Sequence, residues 1–411
     1  MLAARPSHLS LATCLIVLSA CPGSQGGESS ASDATSSTSA ATTGTGTGTT
    51  GATTGAPTTG SATAGTTASA TSSTTGDTTG VEYGEPFSIT ILDNAWITGT
   101  DGWNSQHKDV AFDLGPATFA RVTLVVDLDT DCYPWEKWQQ NPPPAGQNWP
   151  ASCDAFDRTM GFVADPAAGP DDPPGFELLR SITPFGGPAH IEADITDYAN
   201  THPGMHVLRS YISSWPDGSG KVTGSAGGWH LSVRIDVEPG PPPRDILAAV
   251  SVFSGDVGAS GATMKLPFTL PEGTVKAELE YRITGHGGAS DPKCIGPAEE
   301  FCKRTHHITV DDTLVSSFDA WRTDCVDYCT ITDNPLPVGP KKYCLENPCG
   351  AIQSVQAPRA NWCPGALVEP LRGPITTALG PGPDHTLQFA IDDVVEGGVW
   401  TVSAVVYAYG A

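Results

Sequence analysis

The stretch Trp229-His230-Leu231-Ser232-Val233-Arg234-Ile235-Asp236-Val237 alternates strictly, apolar at the odd positions and polar at the even ones. Successive side chains of a strand point to opposite faces, so this is the period of an antiparallel strand with one face in a core. Residues 120–127 and 275–283 carry the same type of run, and Trp400-Thr401-Val402-Ser403-Ala404-Val405-Val406-Tyr407 closes the chain with another. No helical period sustained over about twelve residues competes. Many short strands separated by Gly/Pro turns predict an all-β chain. Glu238-Pro239-Gly240-Pro241-Pro242-Pro243 stops either regular structure, because proline has no N–H to donate. It reads as a stiff linker between two domains, 83–240 and 241–411, each a sandwich or jelly roll, with a groove between them as the natural place for a site.

The front of the chain reads as a delivery device. In residues 1–21, Arg5 and His8 precede an apolar run from Leu9 to Leu18 that is too short to cross a bilayer. Leu18-Ser19-Ala20-Cys21 resembles a bacterial lipobox. That resemblance implies export, cleavage before Cys21 and lipidation of Cys21, each buried methylene then contributing ~0.8 kcal/mol to membrane attachment. Pro22 rather than Asp follows the cysteine, which by the bacterial sorting pattern favours the outer membrane or cell surface. Residues 22–82 are almost wholly Ser, Thr, Gly and Ala, as in Thr42-Thr43-Gly44-Thr45-Gly46-Thr47. With no apolar periodicity to bury, they read as a disordered tether, a coil of about sixty residues spanning on the order of 40 Å.

The net charge of -24 excludes nucleic acid as a partner and limits membrane contact to a lipid anchor. Eleven cysteines behind an export signal point to disulfides in an oxidising compartment. Cys325-x-x-x-Cys329 and Cys344-x-x-x-x-Cys349 are too irregular for a zinc site. Neither a metal nor a cofactor is expected, and a monomer is.

Two acidic stretches stand out. Cys153-Asp154-Ala155-Phe156-Asp157-Arg158 places carboxylates and an arginine behind a cysteine, and Pro297-Ala298-Glu299-Glu300-Phe301-Cys302 lies in the second half. The first resembles the CDxWDR segment of the peptide-N-glycosidase F family. Arg180-Ser181-Ile182-Thr183-Pro184-Phe185 is similar to its R-x-I-T-P-Y strand, Phe301-Cys302-Lys303-Arg304-Thr305-His306 to its W-C-x-R-T-H segment, and Pro358-Arg359-Ala360-Asn361-Trp362-Cys363-Pro364-Gly365 to its D-R-A-G-W-C-P-G segment. These segments occur in family order and span roughly residues 84 to 410.

The resemblance implies two side-by-side eight-stranded antiparallel jelly rolls. It implies an amidase that hydrolyses the bond between an asparagine side chain and the first N-acetylglucosamine of N-glycosylated proteins or peptides, leaving aspartate. Asp157 falls on the family's primary catalytic aspartate and Glu300 on a glutamate that acts with it through a water. Arg158 and Arg359 fall on arginines lining the cleft and Trp215 on an aromatic at its mouth; Trp362, in the last segment, is a candidate substrate-binding aromatic, and both tryptophans could equally be core. The implied disulfides are Cys132 with Cys153, Cys294 with Cys302, and Cys325 with Cys363. Cys329, Cys344 and Cys349 stay unassigned. The chemistry suits the residues, since amide hydrolysis needs a deprotonated water and a proton for the leaving nitrogen, and two carboxylates of different pKa divide those tasks.

Two departures from the family bear on the chemistry. Ser213 stands where the family has a cleft glutamate, and Phe156 where it has a tryptophan. A serine hydrogen-bonds a sugar but supplies neither charge nor proton. The alternative function is thus a catalytically silent sandwich lipoprotein that binds glycan or protein. Copper-dependent monooxygenases share the double jelly-roll plan, and His306-His307 invites copper. The chain has no His-x-His triplet, and the place of His306 in the R-T-H segment implies a packed or cleft-wall histidine.

Overall fold

The computed structural model describes residues 83–116, 118–288 and 291–411. The export signal, Cys21 and the tether lie outside the described residues. The first half contains β1 Phe87–Thr98, β2 His107–Asp113, β3 Phe119–Asp129, β4 Thr159–Ala164, β5 Phe176–Ile182, β6 Ala189–Asp194, β7 Met205–Ile212 and β8 Gly228–Pro239. The second contains β9 Ile246–Gly258, β10 Thr263–Thr269, β11 Lys276–Gly287, β12 Arg304–Val310, β13 Thr313–Ala320, β14 Ile331–Asp333, β15 Lys342–Cys344, β16 Leu371–Pro374, β17 Asp384–Ile391 and β18 Gly398–Tyr409. All pairings between these strands are antiparallel.

The first half forms sheets ordered β1-β8-β3-β6 and β2-β7-β4-β5. Setting aside the small β14-β15 hairpin, the second half forms β16-β11-β18-β9 and β10-β17-β12-β13. Renumbered from β9, the second order is identical to the first, so one connectivity of two Greek keys occurs twice. The chain passes between the halves at residues 240–245, the proline-rich segment.

The strand β8 shows why the sequence folds this way. Trp229, Leu231, Val233, Ile235 and Val237 are all buried, while His230, Ser232, Arg234 and Asp236 are half-buried on the other face. Those five join Ile97, Phe119, Leu124 and Phe162 in one core. Each large apolar side chain buried there contributes about 1.5–3 kcal/mol. A second core around Tyr281, Ile283, Phe389, Trp400 and Val402 fills the other sandwich.

The strand β11 departs from its sequence pattern. Its alternation holds through Tyr281, but Arg282 and Thr284, on the polar face, are also buried. That face meets the first sandwich rather than water. Arg180 donates to Thr284 Oγ1 at 3.1 Å and to the Thr401 carbonyl at 2.7 Å, and Arg282 donates to the Glu177 carbonyl at 2.7 Å. Glu177 accepts both arms of Arg180, at 2.7 and 2.6 Å. Burial alone raises the Glu177 pKa, but Arg180 and Arg282 outweigh it and hold the carboxyl below its usual value. Removing one partner of a buried pair strands the other charge. Arg180→Leu is therefore expected to lower unfolding free energy by about 3–5 kcal/mol in urea titrations.

Candidate active site

Asp157 sits in the turn that enters β4, at the end of the first sandwich nearest the second. The cysteine that opens its segment, Cys153, is fully buried and bonded to Cys132. Asp154 is also fully buried. It accepts Arg158 Nε at 2.9 Å, Arg158 Nη2 at 2.9 Å and Ser214 Oγ at 2.6 Å. Arg158 Nη2 donates further to the Trp215 carbonyl at 2.9 Å. Asp154 and Arg158 thus form a buried strut that ties the Asp157 turn to the loop after β7. Arg158, expected to line the cleft, is largely occupied in this way, and its guanidinium also lies 5.3 Å from the Phe156 ring centroid.

Glu300 comes from the second sandwich. It lies on the single turn Glu299–Phe301, closed by the Cys294–Cys302 disulfide. Of the two adjacent glutamates, Glu299 is fully buried and salt-bridged to Arg304 at 2.8 Å, with Trp400 Nε1 donating to it at 3.0 Å. That engagement fixes the turn and leaves Glu300, with 25% of its side chain exposed, to pair with Arg359.

Arg359 joins the two carboxylates. Its Nη1 donates to Glu300 Oε1 at 2.8 Å, and its Nη2 lies 3.6 Å from Asp157 Oδ2. The guanidinium is 1% exposed and lies over the rings of Trp362 at 4.4 Å and Phe301 at 4.8 Å. Nη2 also donates to the Ser354 carbonyl at 2.9 Å. The Ala360 N–H donates to the Glu300 carbonyl at 2.8 Å, so the two loops are tied through backbone as well. A planar, always-charged fork held this way fixes both carboxylates.

Burial pushes the Asp157 carboxyl up to about 7, with Arg359 opposing the rise, Glu300 adding to it and Arg158 opposing it. Glu300 is raised as well, by burial, against the pull of Arg359. Asp157 and Glu300 keep side-chain exposures of 14% and 25%, so both remain within reach of water. A carboxyl that titrates near neutrality beside a second one can accept and return a proton.

The other expected residues fall as follows. Trp215 is 68% exposed at the rim. Ser213 turns its hydroxyl to the Thr159 carbonyl at 3.2 Å. Trp362, expected to touch substrate, is instead 2% exposed, donates Nε1 to the Gly285 carbonyl at 2.9 Å and serves as the platform under Arg359. On β12, His306 is buried against Trp400 and Tyr281, while His307 lies on the opposite face with Asp392 and Ser317. Adjacent strand residues face apart, so the two imidazoles do not converge.

Cys325 is bonded to Cys363, and Cys329 to Cys344, a pairing the sequence left open. Cys349 is the one cysteine outside a disulfide among the described residues. The Cys132–Cys153 loop and the β14-β15 hairpin pack together through Trp135, Trp138 and Tyr343 beside the site. Sequence reasoning missed three contributors: Asp154, Glu299 and His286. The imidazole of His286 stacks on Trp362 at 5.3 Å, and burial, aided by Arg180 and Arg359, pushes its pKa down to about 3, so it stays neutral. The two carboxylates were visible as neighbours of Asp157 and Glu300, but their burial is a tertiary property.

Residues 258–407 match the family model described as peptide-N-glycosidase F, C terminal. No curated protein matches the sequence. Among solved structures, PNGase F, a glycosylasparaginase from Flavobacterium meningosepticum, is similar with TM-score 0.55 and 20% identity, over 80% of this chain and 96% of that one. A peptide-N(4)-(N-acetyl-β-D-glucosaminyl)asparagine amidase gives 0.57 and 20%, over 79% and 96%. PNGF-II gives 0.60 and 18%, over 80% of this chain and 66% of its own length, so the present chain spans about two thirds of that protein. At these identities the structural likeness is one of fold. Over residues 258–407 the chain is thus similar to the C-terminal part of peptide-N-glycosidase F, and its described residues share the fold of these structures.

Proposed function

We propose that the protein is a hydrolase that cleaves the amide between an asparagine side chain and the first N-acetylglucosamine of N-glycosylated proteins or peptides. The observation that carries this reading is the meeting of Asp157 and Glu300, from different sandwiches, on the single guanidinium of Arg359. Asp157, raised to about 7, takes a proton from a water that Glu300 orients. The water oxygen bonds to the amide carbon. As the C–N bond breaks, Asp157 returns the proton to the departing nitrogen. The products are aspartate and a glycosylamine, with the water's atoms shared between them. Arg359 holds the geometry and keeps both carboxyls from rising further.

The four disulfides among the described residues suit an oxidising compartment. We place the protein at the bacterial outer membrane or cell surface as a monomer, anchored through Cys21 and lifted off the membrane by the 22–82 tether. A silent glycan-binding lipoprotein is the second reading, and Ser213 favours it. Its hydroxyl is engaged with backbone where the resemblance implies a glutamate. Incubating residues 81–411 with a denatured N-glycoprotein separates the two. Release of intact glycan that stops in Asp157→Asn supports the amidase, and binding without release across several glycan types supports the second reading.

A further inference from the structure

Trp103 is a large apolar ring left 48% exposed. It is nonetheless fixed in place. The imidazole of His107 stacks on it at 4.6 Å, and His107 Nδ1 lies 2.6 Å from the Trp103 carbonyl. Tyr211 and Arg209 flank it, each at 5.9 Å. A rigid, exposed indole is an informative exception to burial.

Trp103 forms one wall of a groove of about 310 Å³ that runs between the sandwiches. The first sandwich adds Arg209 and Tyr211, and the second adds Ser254, Asp256 and Thr401. Arg209 is spent on Asp109 in a two-pronged pair at 2.8 and 2.7 Å. Asp256 accepts the Thr401 hydroxyl at 2.7 Å and forms no salt bridge among the described residues, though Arg180 in the same lining feels its charge. The groove therefore offers a flat apolar face, hydroxyls and one spare carboxylate. That combination suits a neutral polyhydroxylated ring, whose C–H face stacks on indole while its hydroxyls meet the carboxylate and the serine. A charged peptide finds little there beyond one carboxylate, on a protein of net charge -24.

The groove adjoins the site already described. Gln106 Nε2, at the end of the one-turn helix Trp103–Gln106, donates to the Ser214 carbonyl at 2.8 Å, next to Trp215. Tyr211 lies over Gly161, where any side chain would collide with its ring. Gly161 is four residues from Asp157, at most about 14 Å of chain.

We propose that this groove is a second saccharide subsite, with Trp103 as its stacking platform, that takes the neutral outer sugars of the same N-glycan whose linkage lies at Asp157 and Glu300. The identity of the ligand rests on the amidase reading. The test measures fluorescence binding of two labelled free sugars, a neutral high-mannose N-glycan and the chitobiose stub, to Asp157→Asn protein with and without Trp103→Ala. The expected result is about tenfold weaker binding of the high-mannose glycan and no change for chitobiose. Trp103→Phe should restore part of the loss, and Asp256→Asn should also weaken only the larger glycan. High-mannose affinity untouched by Trp103→Ala overturns the proposal. So does an equal loss for both sugars. Wild-type protein with no amidase activity but with the expected binding pattern would overturn the amidase reading and leave the subsite standing.

Discussion

Asp157→Asn is expected to lower kcat/KM on N-glycopeptides by about 10³-fold, inside the range of about 10²–10⁴ that a positioned acid-base group supplies. The same substitution is expected to make the protein more stable. The Asp157 carboxyl is raised from 3.8 to about 7 in the folded protein, chiefly by burial. A raised carboxyl contributes stability that is complete below the unfolded pKa and is lost as pH rises through the folded value. At about pH 8 the ionised group thus costs up to about 4 kcal/mol, at about 1.4 kcal/mol per unit. Asparagine stays neutral and avoids that cost. Urea unfolding should find the variant more stable than wild type near pH 8 and equal to it near pH 3.5. The rate should carry the same titration, with wild-type kcat/KM falling as pH drops through about 7.

Arg359→Lys is expected to cost about 10²-fold in kcat/KM, roughly the effect of losing one fixed electrostatic contact in a closed site. A lysine keeps the charge but not the fork. It cannot reach Glu300, Asp157 and Ser354 together, nor lie flat between Trp362 and Phe301. Arg359 is also the leading influence holding the Asp157 pKa down. Arg359→Gln, which removes that charge, should move the acid limb of the pH–rate profile to higher pH. A rate loss with no movement of that limb would limit Arg359 to a structural role.

The sheet architecture was legible where one strand face meets a core and the other meets water, as in β8. It was less legible in β11, because Arg282 and Thr284 face a second sandwich and local alternation cannot say what lies opposite a polar face. The two cleft carboxylates could be placed on ordered segments, and the structure brings both to Arg359. Their neighbours could not be sorted. Asp154 and Glu299 are chemically the same as Asp157 and Glu300, and only burial and arginine pairing make them struts. Trp362 reads as a candidate substrate-binding aromatic from its segment, yet Arg359 lies over its ring. Cys329 and Cys344 are joined across the short β14-β15 hairpin, whose three-residue strands carry no periodic signal. Trp103 lies in no motif, and its setting depends on strands from both sandwiches.

The most direct measurement is mass spectrometry of a denatured N-glycoprotein treated with the protein in water enriched in heavy oxygen. The account predicts that each released site becomes aspartate carrying one heavy oxygen, that the glycan leaves with both core N-acetylglucosamines, and that Asp157→Asn does neither. Asparagine that keeps one N-acetylglucosamine, or glycoprotein left unchanged across several glycan types, would contradict it.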